Sequence, residues 1–339
     1  MDRAKERILA HSTVYDVALK AGVSIATVSR VINAPDKVNP ETRQRVLEAI
    51  SKLHYVPKAE AAARARKGTG RIGVIAPFFA YPSFIQRLRG VASALAALPY
   101  ELTVYNVDNS AHRDGLVASV SLTRRLDGLI LMALPFNEAT VENLISHSLA
   151  TVSIECAHPS FSSIEIDDAN GGRIAARYLI EKGHRKLAFI GESNLPEYAF
   201  PTSDHRLDGY RAAIQSASLE LNPVYIAYTA HKIEDAFQAV LQMLNLPEPP
   251  TAVFCASDTH AMGALQAARQ RGIRVPDELA ILGFDDLDIA SYLGLTTIRQ
   301  HLDESGRRAV ELLMSRLTHP ERPTQHVRLP LELVVRETA

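Results

Sequence analysis

The run TVYDVALKAGVSIATVSRVIN, Thr13 to Asn33, decides how the chain is organised. Val14 to Ala21 has the spacing of a short helix, and Gly22 stops it. Ser24 is a good N-cap for a second helix that continues to about Asn33. Val28, Val31 and Ile32 mark the inner side of that helix. Its leading edge is Ile25, Ala26 and Thr27, with Arg30 one turn further on. Two helices about a glycine turn predict a helix–turn–helix, which sets the start of its second helix against base edges in the major groove. Arg30 can offer guanine a paired set of hydrogen bonds, while Ile25 and Ala26 can make only apolar contacts, for instance with thymine methyls. A small helical bundle carrying a solvated arginine has the same local pattern.

On the C-terminal side, Asn39-Pro40 predicts the start of a third helix reaching about Leu53, with Val46, Ile50 and Leu53 at helical spacing. Pro35 punctuates the turn before it. The segment KAEAAARARKGTG, residues 58–70, is rich in alanine and basic residues and lacks a wide apolar face, so it reads as a linker able to become a short helix on a partner. From residue 71 the pattern changes. Apolar strand candidates at 71–76, 101–107, 128–133, 151–156, 186–191, 224–228, 251–256 and 279–284 alternate with helical segments at 84–97, 138–147, 169–182, 206–217, 233–245, 259–271 and 303–317. Such alternation predicts parallel sheets covered on both faces, and two doubly wound lobes fit the length better than one sheet. Ligands of such sheets sit beyond the carboxyl ends of the strands.

Charge is distributed unevenly. Residues 1–70 carry a net +6 and residues 71–339 a net −7, which together make the −1 of the whole chain. A basic head on an acidic body suits a polyanion-binding module joined to a second function, and equally suits a basic, solvated helical domain. At 47% hydrophobic residues the 339-residue chain can build a sizeable core. No apolar run approaches the roughly 20 residues of a membrane span. The N-terminal MDRAKERILAHS lacks a secretory apolar core, and the cytoplasm is the expected compartment. Two cysteines, Cys156 and Cys255, supply neither a disulfide framework nor a cysteine-only zinc site. The 12 histidines show no metal-ligand spacing. GTGRIG at 68–73 has the glycines of a dinucleotide-binding turn but precedes a strand instead of following one, so no cofactor is expected. No nucleophile elbow, His-Glu-x-x-His or phosphate loop is present, and the chain is not expected to be an enzyme. The adjacent pair Asp285-Asp286 can serve acid–base work, bind sugar hydroxyls or cap a loop.

The head resembles the DNA-binding headpiece of the lactose-repressor (LacI/GalR) family of bacterial transcription regulators. Tyr15-Asp16-Val17-Ala18, Ala21-Gly22-Val23-Ser24 and Thr27 through Asn33 carry the likeness. It continues in Val38, Thr42, Arg43, Val46 and Tyr55-Val56-Pro57. Further along, Ile72-Gly73-Val74, Gly183-His184, Ala188 to Gly191, Arg206 to Tyr210, Ser257-Asp258, Gly283 to Asp286 and Leu295 to Ile298 also look like the family. The implied fold is a helix–turn–helix headpiece at 1–57, a hinge at 58–70, and a periplasmic-binding-protein-like α/β domain of two lobes at 71–339. The implied N-lobe is about 71–165 plus 298–326.

The resemblance also implies roles. Thr13, Tyr15, Ser24, Ile25, Ala26, Thr27, Ser29, Arg30 and Asn33 are the implied DNA-facing residues, with Arg64 in the hinge. Arg206 and Asp285 fall at effector-contacting positions, joined by Glu155, Ser257, Asp258 and Gln300. Carboxylates and a forked guanidinium suit a polyol. Phe78, Phe79, Tyr81 and Phe84 follow the first strand and either stack on a sugar face or pack in the core. Three departures stand out. About 12 residues precede Thr13, the loop 192–205 is long and holds Pro196 and Pro201, and Arg64 replaces the family's minor-groove-wedging leucine. The last implies a less bent operator with an A·T-rich centre. No tetramerising heptads follow Glu337, so a dimer is expected. The overall expectation is an effector-responsive repressor of carbohydrate-use genes that binds a pseudo-palindromic operator. Its trigger is either a free sugar or a phosphoprotein corepressor. A transport sugar-binding protein and a sugar-acting enzyme are the alternatives from other classes.

Overall fold

A computed structural model describes residues 12–33, 35–53, 55, 68–107, 109–192 and 198–339. Among the described residues the head has three α-helices: α1 (Val14–Ala21), α2 (Ile25–Asn33) and α3 (Pro40–Leu53). Gly22 supplies the left-handed turn after α1, at φ +64°, a conformation that side chains with a Cβ resist. Val17, Val28, Val31, Val46 and Ile50 form the small core, with Leu122 of the next domain packed against it.

The first lobe follows. Strands β1 (Arg71–Pro77), β2 (Glu101–Val107), β3 (Gly128–Met132), β4 (Ala150–Ile154) and β5 (Ser162–Glu165) alternate with α4 (Pro82–Leu95), α5 (Ser110–Thr123) and α6 (Glu138–Ser146). Ahead of β1 the Thr69 and Gly70 amides donate to the Asp127 carboxylate at 2.6 and 2.7 Å. The chain then crosses to the second lobe through α7 (Asp168–Glu181), β6 (Leu187–Glu192), α8 (Thr202–Ser216), β7 (Ile226–Thr229), α9 (Ile233–Leu244), β8 (Ala252–Cys255), α10 (Asp258–Arg271), β9 (Ala280–Asp285), α11 (Asp288–Tyr292) and β10 (Thr296–Arg299). It returns to the first lobe with α12 (Leu302–Thr318) and β11 (His326–Arg328), and ends in the second with β12 (Glu332–Val334). The sheet orders are β11-β5-β4-β3-β1-β2 and β12-β10-β9-β8-β6-β7. All pairings are parallel except β10 with β12.

The return crossing lies after Gln300, not at residue 298, because Thr296 to Arg299 pair with β9 of the second lobe. The short strands β5, β10, β11 and β12 and the helix α5 escape the periodicity of the sequence. Strand β5 buries Ser162 and Ser163 where an apolar pattern is normally sought. In α5 the hydroxyls of Ser121 and Thr123 turn back onto the carbonyls of Val117 and Ser119, so polar residues sit on the buried side.

One contact recurs in each lobe. A Cβ on Gly172 of α7 would stand 1.9 Å from the Arg206 carbonyl oxygen, and one on Gly306 of α12 would stand 2.2 Å from that of Arg87. Glycine alone permits so close a helix crossing. The two crossings set α8 and α4, and with them the backbones of the two arginines that enter the cleft between the lobes.

Candidate functional site

The head presents one candidate surface and the body another. On the head, Thr13 and Asp16 form a capping box: the Thr13 amide donates to Asp16 Oδ2 at 2.7 Å, and Thr13 Oγ1 accepts from the Asp16 amide at 3.4 Å. The Thr13 hydroxyl and amide together hold the Asp16 carboxyl below its usual range. Ser24 Oγ accepts from the Thr27 amide at 3.1 Å and so opens α2. Tyr15, Ser24, Ile25, Ala26, Ser29 and Arg30 are exposed, Thr27 is half-buried, and Asn33 closes α2. Sequence reasoning missed Leu19, which is 85% exposed one turn beyond Tyr15 on the same face of α1. Arg64 lies outside the described residues.

The second surface is a narrow inter-lobe cavity of about 60 Å³ beyond the carboxyl ends of both sheets. Four strand ends turn through positive φ there: Phe78 after β1, Ala133 after β3, Glu155 after β4 and Asp285 on β9, at +51°, +49°, +76° and +124°. Non-glycine residues adopt such angles at a cost, and they concentrate where side chains must be re-aimed. The adjacent carboxylates consequently part. Asp285 faces the cleft, and Asp286 instead binds Arg299 and Arg336, each at 2.7 Å.

A polar chain crosses from one lobe to the other. Arg87 of α4 ion-pairs with Glu155 and donates to Gln300 Oε1 at 2.7 Å, and Gln300 Nε2 donates to Asp285. Arg206 of α8 donates to Asp168 at 2.8 Å and to the Ala256 carbonyl at 2.6 Å, with its guanidinium 3.6 Å above the Phe284 ring. Burial raises the Asp285 carboxyl to about 6, with Arg206 and His231 opposing. Burial likewise raises Asp168 despite Arg206. Tyr81 of the first lobe stacks on His231 of the second, centroids 4.3 Å apart, and Phe78 stacks behind Tyr81 at 5.0 Å. Burial pushes the Tyr81 hydroxyl up to about 12, with the Glu192 carboxylate adding to it.

Of the residues expected from sequence, Phe78, Tyr81, Phe84, Glu155, Arg206, Ser257, Asp285 and Gln300 line this one cavity. Phe79 is exposed and does not. Asp258 corrects the expectation. Its oxygens accept from the Thr297 hydroxyl at 2.6 Å and the Leu287 amide at 2.8 Å, so it braces the turn behind the cleft and does not line it. Sequence reasoning missed Arg87, Glu192, His231 and His260, along with the Ala199–Phe200 and Thr202–Ser203 stretch. Arg87 had a signal, since it stands three residues after Phe84 on one helix face. His260 also had one, three residues after the cap Ser257. His231 and Glu192 had none, being joined only by the pairing of β6 with β7, whose carboxyl ends they occupy.

Known proteins divide in the same way. The description "Bacterial regulatory proteins, lacI family" matches residues 13–58, and "Periplasmic binding protein-like domain" matches 176–339. The transcriptional repressor PurR of Haemophilus influenzae is 32% identical over 335 residues, covering 96% of this chain and 98% of its own. This chain belongs to the lacI family of bacterial regulatory proteins. The regulator also resembles a solved complex of the transcriptional regulator CelR with cellobiose, at TM-score 0.69 and 29% identity, over 97% of this chain and all of that one. The lac repressor dimer bound to operator and the anti-inducer ONPF gives TM-score 0.69 and 27% identity, over 97% and 99%. A DNA-binding headpiece joined to a two-lobed periplasmic-binding-protein-like domain makes it a DNA-binding transcriptional regulator. Among the described residues no helix is long and apolar enough to cross a membrane.

Proposed function

We propose that this regulator is a repressor of carbohydrate-use genes that binds a pseudo-palindromic operator as a dimer and answers to a small hydroxylated effector in the inter-lobe cleft, which it does not turn over. Residues 1–57 are the reading head, 58–70 the hinge and 71–339 the effector-binding and dimerising body. The observation that carries this is the polar chain Glu155–Arg87–Gln300–Asp285, which spans both lobes inside one cavity. A ligand that inserts into that chain binds open and closed lobes unequally, as a two-state response requires. The CelR complex with cellobiose and the operator-bound lac repressor dimer support the effector class and the assembly by likeness. Asp285, Arg206, Gln300, Glu155 and Ser257 are the proposed effector contacts.

DNA selection by the full-length protein tests the head. Binding is expected to weaken steeply with salt, because each neutralised phosphate releases counterions. Arg30→Ala is expected to cost about 1–3 kcal/mol on the selected site and much less on random DNA. Equal weakening on both would make Arg30 a phosphate contact. Arg64→Leu in the hinge is the matching test of operator bend.

The proposed dimer face is a groove on the second lobe lined by Ile233, Met262, Leu265, Ile289, Tyr292 and Leu293. Tyr292 there is 86% exposed, and so large an apolar group on a folded surface commonly marks an interface. Tyr292→Asp is expected to sediment as a folded monomer; an unchanged dimer mass would place the interface elsewhere.

A further inference from the structure

We propose that the cleft accepts an uncharged polyhydroxylated effector and rejects the phosphate esters of the same molecule. This rests on the cleft being the effector site. The cations come first. Among the described residues the cavity is lined by two guanidiniums and no lysine. Arg87 is matched by Glu155 and Gln300, and Arg206 by Asp168, the Ala256 carbonyl and the Phe284 ring. Against the two guanidiniums and the His231 ring stand four carboxyl groups, Glu155, Glu192 and Asp285 on the wall and Asp168 behind it. A phosphoryl group entering this space would lose its water, find no unmatched cation and face an excess of like charge.

The atoms left over point to hydroxyls. Arg87 Nε, His231 Nδ1 and His260 Nε2 are buried without a hydrogen-bond partner. Arg87 comes from the first lobe, and the two histidines come from the second. His231 Nδ1 lies 3.5 Å from Glu192 Oε2, too far for a proper hydrogen bond. His260 is 1% exposed, and its Nδ1 is engaged by Ser257 Oγ at 2.7 Å. Burial, helped by neighbouring His231, lowers its pKa to about 3, so it brings no charge at neutral pH. The Ala230 backbone opposes that fall by hydrogen bonding to the ring, though no bond of good geometry reaches Nε2, and a hydroxyl can serve that atom as donor or acceptor whereas a phosphate oxygen can only accept. Phe84 and Phe200 line the same cavity and offer apolar carbon to the carbon side of such a ligand.

Calorimetry of the full-length protein at pH 7.5 tests this with matched pairs: ribose and ribose 5-phosphate, glucose and glucose 6-phosphate, cytidine and cytidine 5′-monophosphate. In every pair that binds, the neutral member is expected to bind on the order of 100-fold more tightly than its ester, since like-charge burial shifts equilibria by such factors. Glu192→Gln is expected to narrow that ratio by removing one carboxylate. His260→Leu is expected to weaken the neutral ligand by roughly 10-fold, beyond the fall in ligand-free melting temperature caused by losing the buried bond to Ser257 Oγ. An ester that binds as tightly as its parent, or a ratio unmoved by Glu192→Gln, overturns the proposal while leaving the effector site standing. Binding of no member of any pair overturns the effector reading itself, and this inference with it.

Discussion

Arg206→Met is expected to destabilise the folded protein by about 3–5 kcal/mol, as well as to abolish effector binding. The motif likeness placed this arginine only at the ligand. The structure gives it a second duty, because its guanidinium is the counter-ion of Asp168 at 2.8 Å, and that carboxylate is 6% exposed. Removing one partner of a buried pair leaves an uncompensated charge, which costs far more than the pair contributes. The lost donor to the Ala256 carbonyl and the lost stacking on Phe284 add to it. Denaturant unfolding followed by far-UV circular dichroism reads the loss. The double variant Arg206→Met with Asp168→Asn should recover a large part of it, since the stranded charge is then gone. A single variant as stable as the parent would show that Asp168 has another route to neutralisation.

Asp285→Asn is expected to act in the opposite direction on stability. Burial holds the folded carboxyl at about 6, above its ordinary 3.8. A group whose folded pKa is raised prefers its proton in the folded state. Its stability is therefore fully present below about pH 4 and is lost as pH rises through about 6. Asparagine mimics the neutral acid, keeps an oxygen for Gln300 Nε2, and escapes that loss. The variant should exceed the parent by about 2–3 kcal/mol at pH 8 and by little at pH 4, because a tenfold change in proton affinity is worth about 1.4 kcal/mol. It should also bind effector more weakly, because an ionised acceptor has become an amide. Unfolding at pH 4, 6 and 8 measures the window; an asparagine variant less stable than the parent at pH 8 would sink the assignment. Stability surrendered at one strained strand end is a common mark of a binding site.

What the chain determines locally was legible in it. The helices of the head follow from 3.6-residue spacing and from caps a few residues away, as Thr13 with Asp16 and Ser24 with Thr27 show. Most strands and helices of the body follow in the same way, because apolar periodicity and short-range polar contacts are set by neighbours in sequence. The arrangement of the cleft needed the tertiary structure. Asp258 belongs to the same motif as Ser257, yet Thr297 and Leu287 draw it behind the wall while Ser257 lines it. Arg87 meets Gln300 across 213 residues, and Tyr81 meets His231 across the lobes. Those pairings depend on two helix crossings at glycine and on a chain that passes between lobes three times. No local pattern encodes them, because contact between distant residues is decided by how whole elements pack and not by the preference of any one segment.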